Sequence, residues 1–216
     1  MTNSERHASL DHFFSVAALL VPILYFGAQL AAAPFFPGYS FVRDSASMLG
    51  TTDSHHPWIF NLGSILTGCA ALCGALGLTL AFRRSTNFLL AALIGVSVAA
   101  TGVLSVKAGM FPMPDPRHAS WSFLSWLTIA SPVLFLLGLW GKRGATAIRI
   151  YLGASVTLTL CLMPFLMGRA GTEMLKPGTL QRLLAFAVFV PVGVVGYCVN
   201  ESTQARRDWL VGRSED

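Results

Sequence analysis

Six long apolar runs set the pattern of the chain, and the breaks between them hold most of its charge and its Pro-Gly turns. The runs cover residues 13–33, 58–82, 88–111, 121–140, 150–168 and 180–199. Each is close to the roughly 20 residues a helix needs to cross a hydrocarbon core of about 30 Å. None alternates strictly between polar and apolar positions, which excludes a membrane β-barrel. The pattern therefore predicts an all-α integral membrane protein, a six-transmembrane-helix bundle with a short interfacial helix in its first outer loop. Residues 1–12 are expected to form a cytoplasmic N-terminal segment, 13–199 the membrane domain and 200–216 a cytoplasmic tail. Pro22 marks a kink in the first run, and Trp121 and Trp140 bracket the fourth at the depth of the water interface.

The first run is too long for the h-region of a signal peptide, about 7–15 residues, and its n-region is weak because Glu5 and Asp11 offset Arg6. It reads as a retained span. Composition agrees: 54% of the 216 residues are hydrophobic and 12% charged, against about 25% charged in a soluble domain. A soluble enzyme, a disordered tail and a disulfide scaffold are excluded. Cys69, Cys73, Cys161 and Cys198 all lie within apolar runs and read as small packing residues rather than a redox or metal set.

The formal net charge is +5. Its basic residues are scattered between spans, with no basic stripe carrying interleaved aromatics, so nucleic acid is not an expected partner. One side collects Arg6, Arg83, Arg84, Lys142, Arg143, Arg149, Arg206, Arg207 and Arg213, and the other Arg43, Lys107, Arg117, Arg169, Lys176 and Arg182. The positive-inside rule places the first, larger set and both termini in the cytoplasm, in a multi-pass protein of the cell membrane.

Small residues recur at helix-packing spacing. Gly63, Thr67, Ala71 and Ala75 fall four apart, with Ser64 and Gly68 alongside, and the third run offers Gly95, Ala99 and Gly102 at spacings of four and three. They predict close intrachain packing and leave the oligomeric state open. No internal repeat is visible, and Gln29 with scattered Ser and Thr is all the polarity at mid-depth, which weighs against a transporter.

The remaining polar residues gather on the predicted outer side. The first loop runs from Pro37-Gly38-Tyr39 through Arg43-Asp44 to Leu49-Gly50, with a short helix expected over 44–49 and Asp44 or Ser45 as its N-cap. It continues into Asp53-Ser54-His55-His56-Pro57. A second segment follows Lys107 through Gly109, Phe111-Pro112, Asp115, Arg117 and His118, and a third holds Arg169, Glu173, Lys176 and Gln181-Arg182. Lys107 and Arg182 each stand about one turn inside a span, where a charge is costly unless it snorkels or is paired.

These segments resemble the domain of unknown function 998 family, small bacterial and archaeal polytopic membrane proteins. The first loop is similar to the family's Pro-Gly-Tyr, Arg-Asp, Ser and Leu-Gly pattern across Pro37 to Gly50. Gly109, Phe111, Pro112, Asp115 and His118 are similar to its Gly-x-Phe-Pro element with following Asp and His. Gln181 and Arg182 are similar to its Gln-Arg pair. One departure is the placement of Asp115 after Met113-Pro114. The resemblance implies a six-span bundle and supplies no established activity.

Three chemistries compete with plain structural roles for these residues. Asp53, His55, His56, Asp115 and His118 carry donors suited to zinc or iron, but no His-x-x-x-His or His-Glu-x-x-His spacing is present. No metal is therefore expected, with His55, His56 and His118 the weak candidates, and no cofactor is implied. Acid–base chemistry would use Asp44, His118 and Asp115 as catalytic groups, against a reading in which Asp44 caps a helix and Arg43 is its partner. An anion site would draw on Arg43, Lys107, Arg117, Arg182 and Tyr39. Nucleophilic triads, Walker loops and Rossmann turns are absent.

The leading expectation is an outward-facing polar pocket between spans one, two, three and six. It would recognise a lipid or other amphiphilic, anionic ligand in a binding or accessory role. The alternative is a membrane-embedded enzyme of the acid/base lyase, cyclase or hydrolase type, acting on a lipid or isoprenoid-like substrate through the same pocket.

Overall fold

Inside a hydrocarbon layer, backbone N–H and C=O groups must find partners within the chain, and each apolar run meets that demand as a helix. The computed structural model describes the backbone of residues 3–118, 123–167 and 175–212, and the side chains of 12–118, 123–167 and 175–201. Arg169, Glu173 and Trp121, and the side chains of Arg6, Arg206 and Arg207, lie outside the described residues, as does Arg213.

The helices are α1 (Asn3–Ala32), α2 (Pro57–Arg83), α3 (Phe88–Met110), α4 (Phe123–Gly138), α5 (Thr146–Leu166) and α6 (Pro177–Gly212). No strand occurs among the described residues. Five helical stretches are long and apolar enough to cross a membrane, the first, His12–Phe35, running from α1 through the 3-10 turn that follows it. Helix α4, at 16 residues, is shorter but carries no charge.

The apolar boundaries near residues 12 and 199 do not interrupt α1 or α6, which run on to Asn3 and Gly212. Hydropathy marks where a helix meets water, and residues of good helix propensity such as Glu5, Arg6, Glu201, Gln204 and Arg206 continue it there. The start of α1 and the end of α6 lie at one end of the bundle, where the His12 ring nitrogen hydrogen-bonds Asn200 Oδ1 at 2.7 Å. This is the terminus end. The opposite end carries the first two polar segments and, of the third, Lys176 and Gln181-Arg182, and is called the signature end.

Each helix packs against its neighbours in sequence, α6 closes back on α1, and α4 also meets α6. Ala18, Ala71, Leu78, Val98, Phe135 and Val192 belong to the main buried cluster. A smaller one, Ala32, Ala46, Leu49 and Phe60, sits under the first loop. Leu30, Leu76, Ile150 and Leu160 are among many large apolar side chains that remain exposed. Patches of that extent suit lipid rather than water. Cys69, Cys161 and Cys198 are exposed, Cys73 partly so, and all four are free thiols.

Small residues set the distances between helices. A Cβ added to Gly68 would lie 2.6 Å from Gly102 O, and one on Gly74 2.8 Å from Ala18 Cα. Ser64 Oγ donates to Ser105 O at 2.8 Å across the buried α2–α3 seam. Contacts of Gly196 with Ala18, Gly193 with Pro22 and Phe189 with Tyr25 give the antiparallel register of α6 on α1.

Candidate functional site

The first loop leaves α1 through a 3-10 turn, Ala33–Phe35, and reverses at Gly38, whose φ of +72° is open to glycine without strain. His55 N donates to Phe35 O at 2.9 Å and closes the loop's base. A 3-10 helix over Ala46–Gly50 then carries Leu49 into the small buried cluster. Gly50 lies directly against Asn61, whose Nδ2 donates to Gly50 O at 3.1 Å.

The N-cap of this short helix is Ser45, and no side chain caps it. Asp44 is not a cap. Its carboxylate turns back to accept Ser40 N–H at 2.9 Å and both arms of the Arg43 guanidinium at 2.8 Å. A side chain one residue before the cap is poorly placed to reach the N2 and N3 amides, whereas the 40–44 turn offers an amide at once. The Arg43 fork, backed by the Ser40 N–H, holds the Asp44 carboxyl below its usual range despite some burial. Arg43 is 64% exposed and also donates to Gly38 O at 2.9 Å.

Helix α6 begins against this loop. Thr179 N donates to Val42 O at 3.0 Å, Gly178 N to Arg43 O at 3.4 Å, and Gln181 Oε1 accepts Ala46 N–H at 2.6 Å. Arg182 Nη1 reaches Phe41 O at 2.5 Å, Asp44 O at 2.9 Å and Gly178 O at 3.0 Å. Its Nη2 donates to the Tyr39 hydroxyl, which donates onward to Ser45 O at 3.2 Å. Burial pushes the Tyr39 hydroxyl pKa up, against the lowering effect of Arg182, so it remains a donor at neutral pH. The Arg182 guanidinium also lies 4.8 Å from the centroid of the Phe41 ring. Arg182 is thus a latch that joins the first loop to α6, and its charge is met by carbonyl dipoles rather than by a carboxylate.

Gly178 belongs to the latch, because a Cβ there would lie 2.7 Å from Phe41 O and 2.8 Å from Val42 O. Sequence reasoning did not single it out, although the Pro177-Gly178 pair just before a span marks a turn. Beneath the latch, Gln29 is 1% exposed, with its Nε2 donating to Tyr25 O at 3.2 Å. Its Oε1 and Arg182 Nε have no partner among the described residues.

The second segment forms a separate knot at the end of α3. Gly109 packs against the α2 backbone at Asn61 and against Ile65. Asp115 accepts Arg117 Nε at 3.0 Å, Nη2 at 2.7 Å and backbone N–H at 2.8 Å. The Arg117 guanidinium sits 3.9 Å from the Phe111 ring centroid and the side chain is 64% exposed. His118 is 7% exposed, and its Nδ1 donates to Phe111 O at 2.7 Å. A carbonyl oxygen only accepts, so that bond places a ring proton on Nδ1. Lys107, partly buried one turn from the end of α3, has no ion pair or side-chain hydrogen bond among the described residues.

No hydrogen bond, ion pair or ring contact joins the Asp44–Arg182 latch to the Asp115–His118 knot among the described residues. Asp44 and His118 share no direct hydrogen bond or ion pair among the described residues. His55 and His56 are exposed, with the His56 ring edge-on to Phe35 at 4.8 Å. No group of three His, Cys, Asp or Glu that could hold a metal ion occurs among the described residues.

The Arg117 fork and backbone amide hold the Asp115 carboxyl at about 2, below the ordinary aspartate value of about 3.9. Since the folded value is the lower one, the contribution of this pair is complete above about pH 4 and is lost as pH falls through about 2. Amide exchange across residues 111–118 is expected to be flat from about pH 5 to 9, after correction for intrinsic rates, and to accelerate only below about pH 3. Asp115→Asn should abolish that acid step; a step persisting in the variant would assign it to another group.

Fold and site together define a polytopic helical membrane protein whose longest loop is latched by a buried-facing arginine onto its last helix. The chain belongs to the family described as Protein of unknown function (DUF998), which matches residues 19–197. The match takes in the first loop, the 109–118 segment and Gln181-Arg182. No curated protein and no solved structure matches the chain.

Proposed function

We propose that the protein recognises an anionic amphiphile, a lipid or lipid-like molecule, at the signature end, in a binding or accessory role. The observation that carries this reading is the Lys107 ammonium, partly buried one turn inside a span with no partner of its own among the described residues. An unneutralised charge at that depth is stabilised by an anion or by reaching the interface. Lys107 and Phe111 share one face at i and i+4, Arg117 stacks on Phe111, and exposed Met110 lies beside them. The patch offers cations at headgroup depth and apolar surface toward the acyl chains. The Arg43–Asp44 pair and the Arg182 latch are engaged in holding the neighbouring loop, whereas Lys107 makes no ion pair or side-chain hydrogen bond among the described residues.

Native mass spectrometry of the detergent-extracted protein tests this with added phosphatidylglycerol and phosphatidylcholine. The wild type should retain phosphatidylglycerol in preference, and Lys107→Gln should lower that retention about tenfold, the equivalent of roughly 1.4 kcal/mol. Equal retention by Lys107→Gln, with an unchanged melting temperature, would overturn the reading.

A further inference from the structure

At the terminus end, two loops distant in sequence are tied together. Gly141 and Gly144, with φ of +75° and +76°, enclose Lys142-Arg143 in a tight turn. Lys142 N donates to Leu139 O at 3.2 Å and Ala145 N to Lys142 O at 3.4 Å, so the turn is internally bonded. Lys142 Nζ crosses to donate to Ser85 O at 2.5 Å, just beyond the end of α2. Gly138, 2.5 Å from Phe82 Cε1 by its would-be Cβ, keeps the end of α4 close to that of α2.

The tie gathers like charges. Residues 83–87 and 139–149 contain Arg83, Arg84, Lys142, Arg143 and Arg149 and no Asp or Glu. Arg83 and Arg143 are exposed, and Lys142 keeps two of its three ammonium protons beyond the Ser85 bond. Holding cations together costs energy that an anion recovers. Next to them, Phe88, Trp140 and Ile150 are about 70% exposed, each adjoining one of these loops. Cations set beside lipid-facing aromatics mark the depth at which phosphates lie.

We propose that this surface is a binding site for a membrane phospholipid carrying two phosphates, held by Arg83, Lys142 and Arg143. Three cations from two loops match two phosphates better than one, and the bonded turn arranges Lys142 in advance of binding. The adjoining apolar ring selects a lipid over a soluble phosphate. This surface uses none of the residues at the signature end.

The test is competition between diphosphatidylglycerol and phosphatidylglycerol on the detergent-solubilised full chain, read by native mass spectrometry. The wild type should retain the two-phosphate lipid at least about tenfold over the other. The double variant Arg83→Gln, Arg143→Gln spares the Lys142–Ser85 tie and should bring that ratio to within about twofold of unity. Lys176→Gln, a charge loss at the opposite end, should leave it unchanged. The proposal is overturned if the wild type does not discriminate, if the double variant discriminates as well as the wild type while melting at the same temperature, or if Lys176→Gln abolishes the ratio equally.

Discussion

Replacing Arg182 with glutamine is expected to release the first loop from α6 and to lower stability by about 3 kcal/mol, the scale of losing a multiply bonded charged donor. The guanidinium serves the carbonyls of Phe41, Asp44 and Gly178 and the Tyr39 hydroxyl at once. Without it, Phe41 O loses its partner and Asp44 O keeps only the long 3.5 Å bond from the Tyr39 hydroxyl, next to an apolar layer where a missing bond costs more than its formation contributes. Arg182→Lys keeps the charge but cannot fork between separate acceptors, so it should fall between wild type and Arg182→Gln. Gly178→Ala should resemble Arg182→Gln, because its added Cβ meets the same carbonyls while leaving the charge in place. Limited proteolysis at residues 37–50, with melting temperature in detergent, reads the effect. Cleavage as slow in Arg182→Gln as in the wild type would mean that the remaining backbone bonds, not the guanidinium, hold the loop.

The second large effect is expected at the α2–α3 seam. Gly68→Ala adds a Cβ 2.6 Å from Gly102 O and from Val106 Cγ2 and 2.7 Å from Val106 N. Two of those atoms are helix backbone, so relief requires α2 and α3 to separate rather than one side chain to rotate. The separation also stretches the Ser64–Ser105 bond. The loss should be about 2–3 kcal/mol, as for overpacked cores. Gly153→Ala provides the contrast: its Cβ meets nothing within 4 Å, and the gain in helix propensity of up to about 1 kcal/mol should leave stability equal or raised. Denaturation of the two variants in mixed detergent micelles separates them; equal midpoints would show that the seam accommodates a methyl group.

The first-loop pattern has a physical reading in these contacts. Gly38 supplies the reversal, Tyr39 relays Arg182 to Ser45 O, and the Arg43–Asp44 fork ties the 38–44 turn to itself. Leu49 fills the small buried cluster, Gly50 admits Asn61, and Gln181 and Arg182 close the structure from 135 or more residues away. The Asp115–Arg117 fork could be anticipated because the two residues are neighbours in sequence. The Arg182 latch could not, since nothing local to Gln181-Arg182 indicates which carbonyls it meets. The expectation of Asp44 as a helix cap failed for a related reason: a capping residue was legible, but the competing amide of Ser40 appears only once the turn is built.

Sequence alone determined the solvent of this protein, its helices and the end of the bundle on which unexplained charge collects. Hydropathy and positional charge are properties of each segment by itself, and a bilayer reads them one span at a time. Only the tertiary structure decided what each of these charges meets. Arg182 meets the first loop, Lys142 meets the end of α2, and Lys107 meets no partner among the described residues. Those pairings follow from the register of helices in contact, set by glycines at Ala18, Gly102 and Pro22 crossings. A register summed over many weak contacts between distant segments is not written in any one of them.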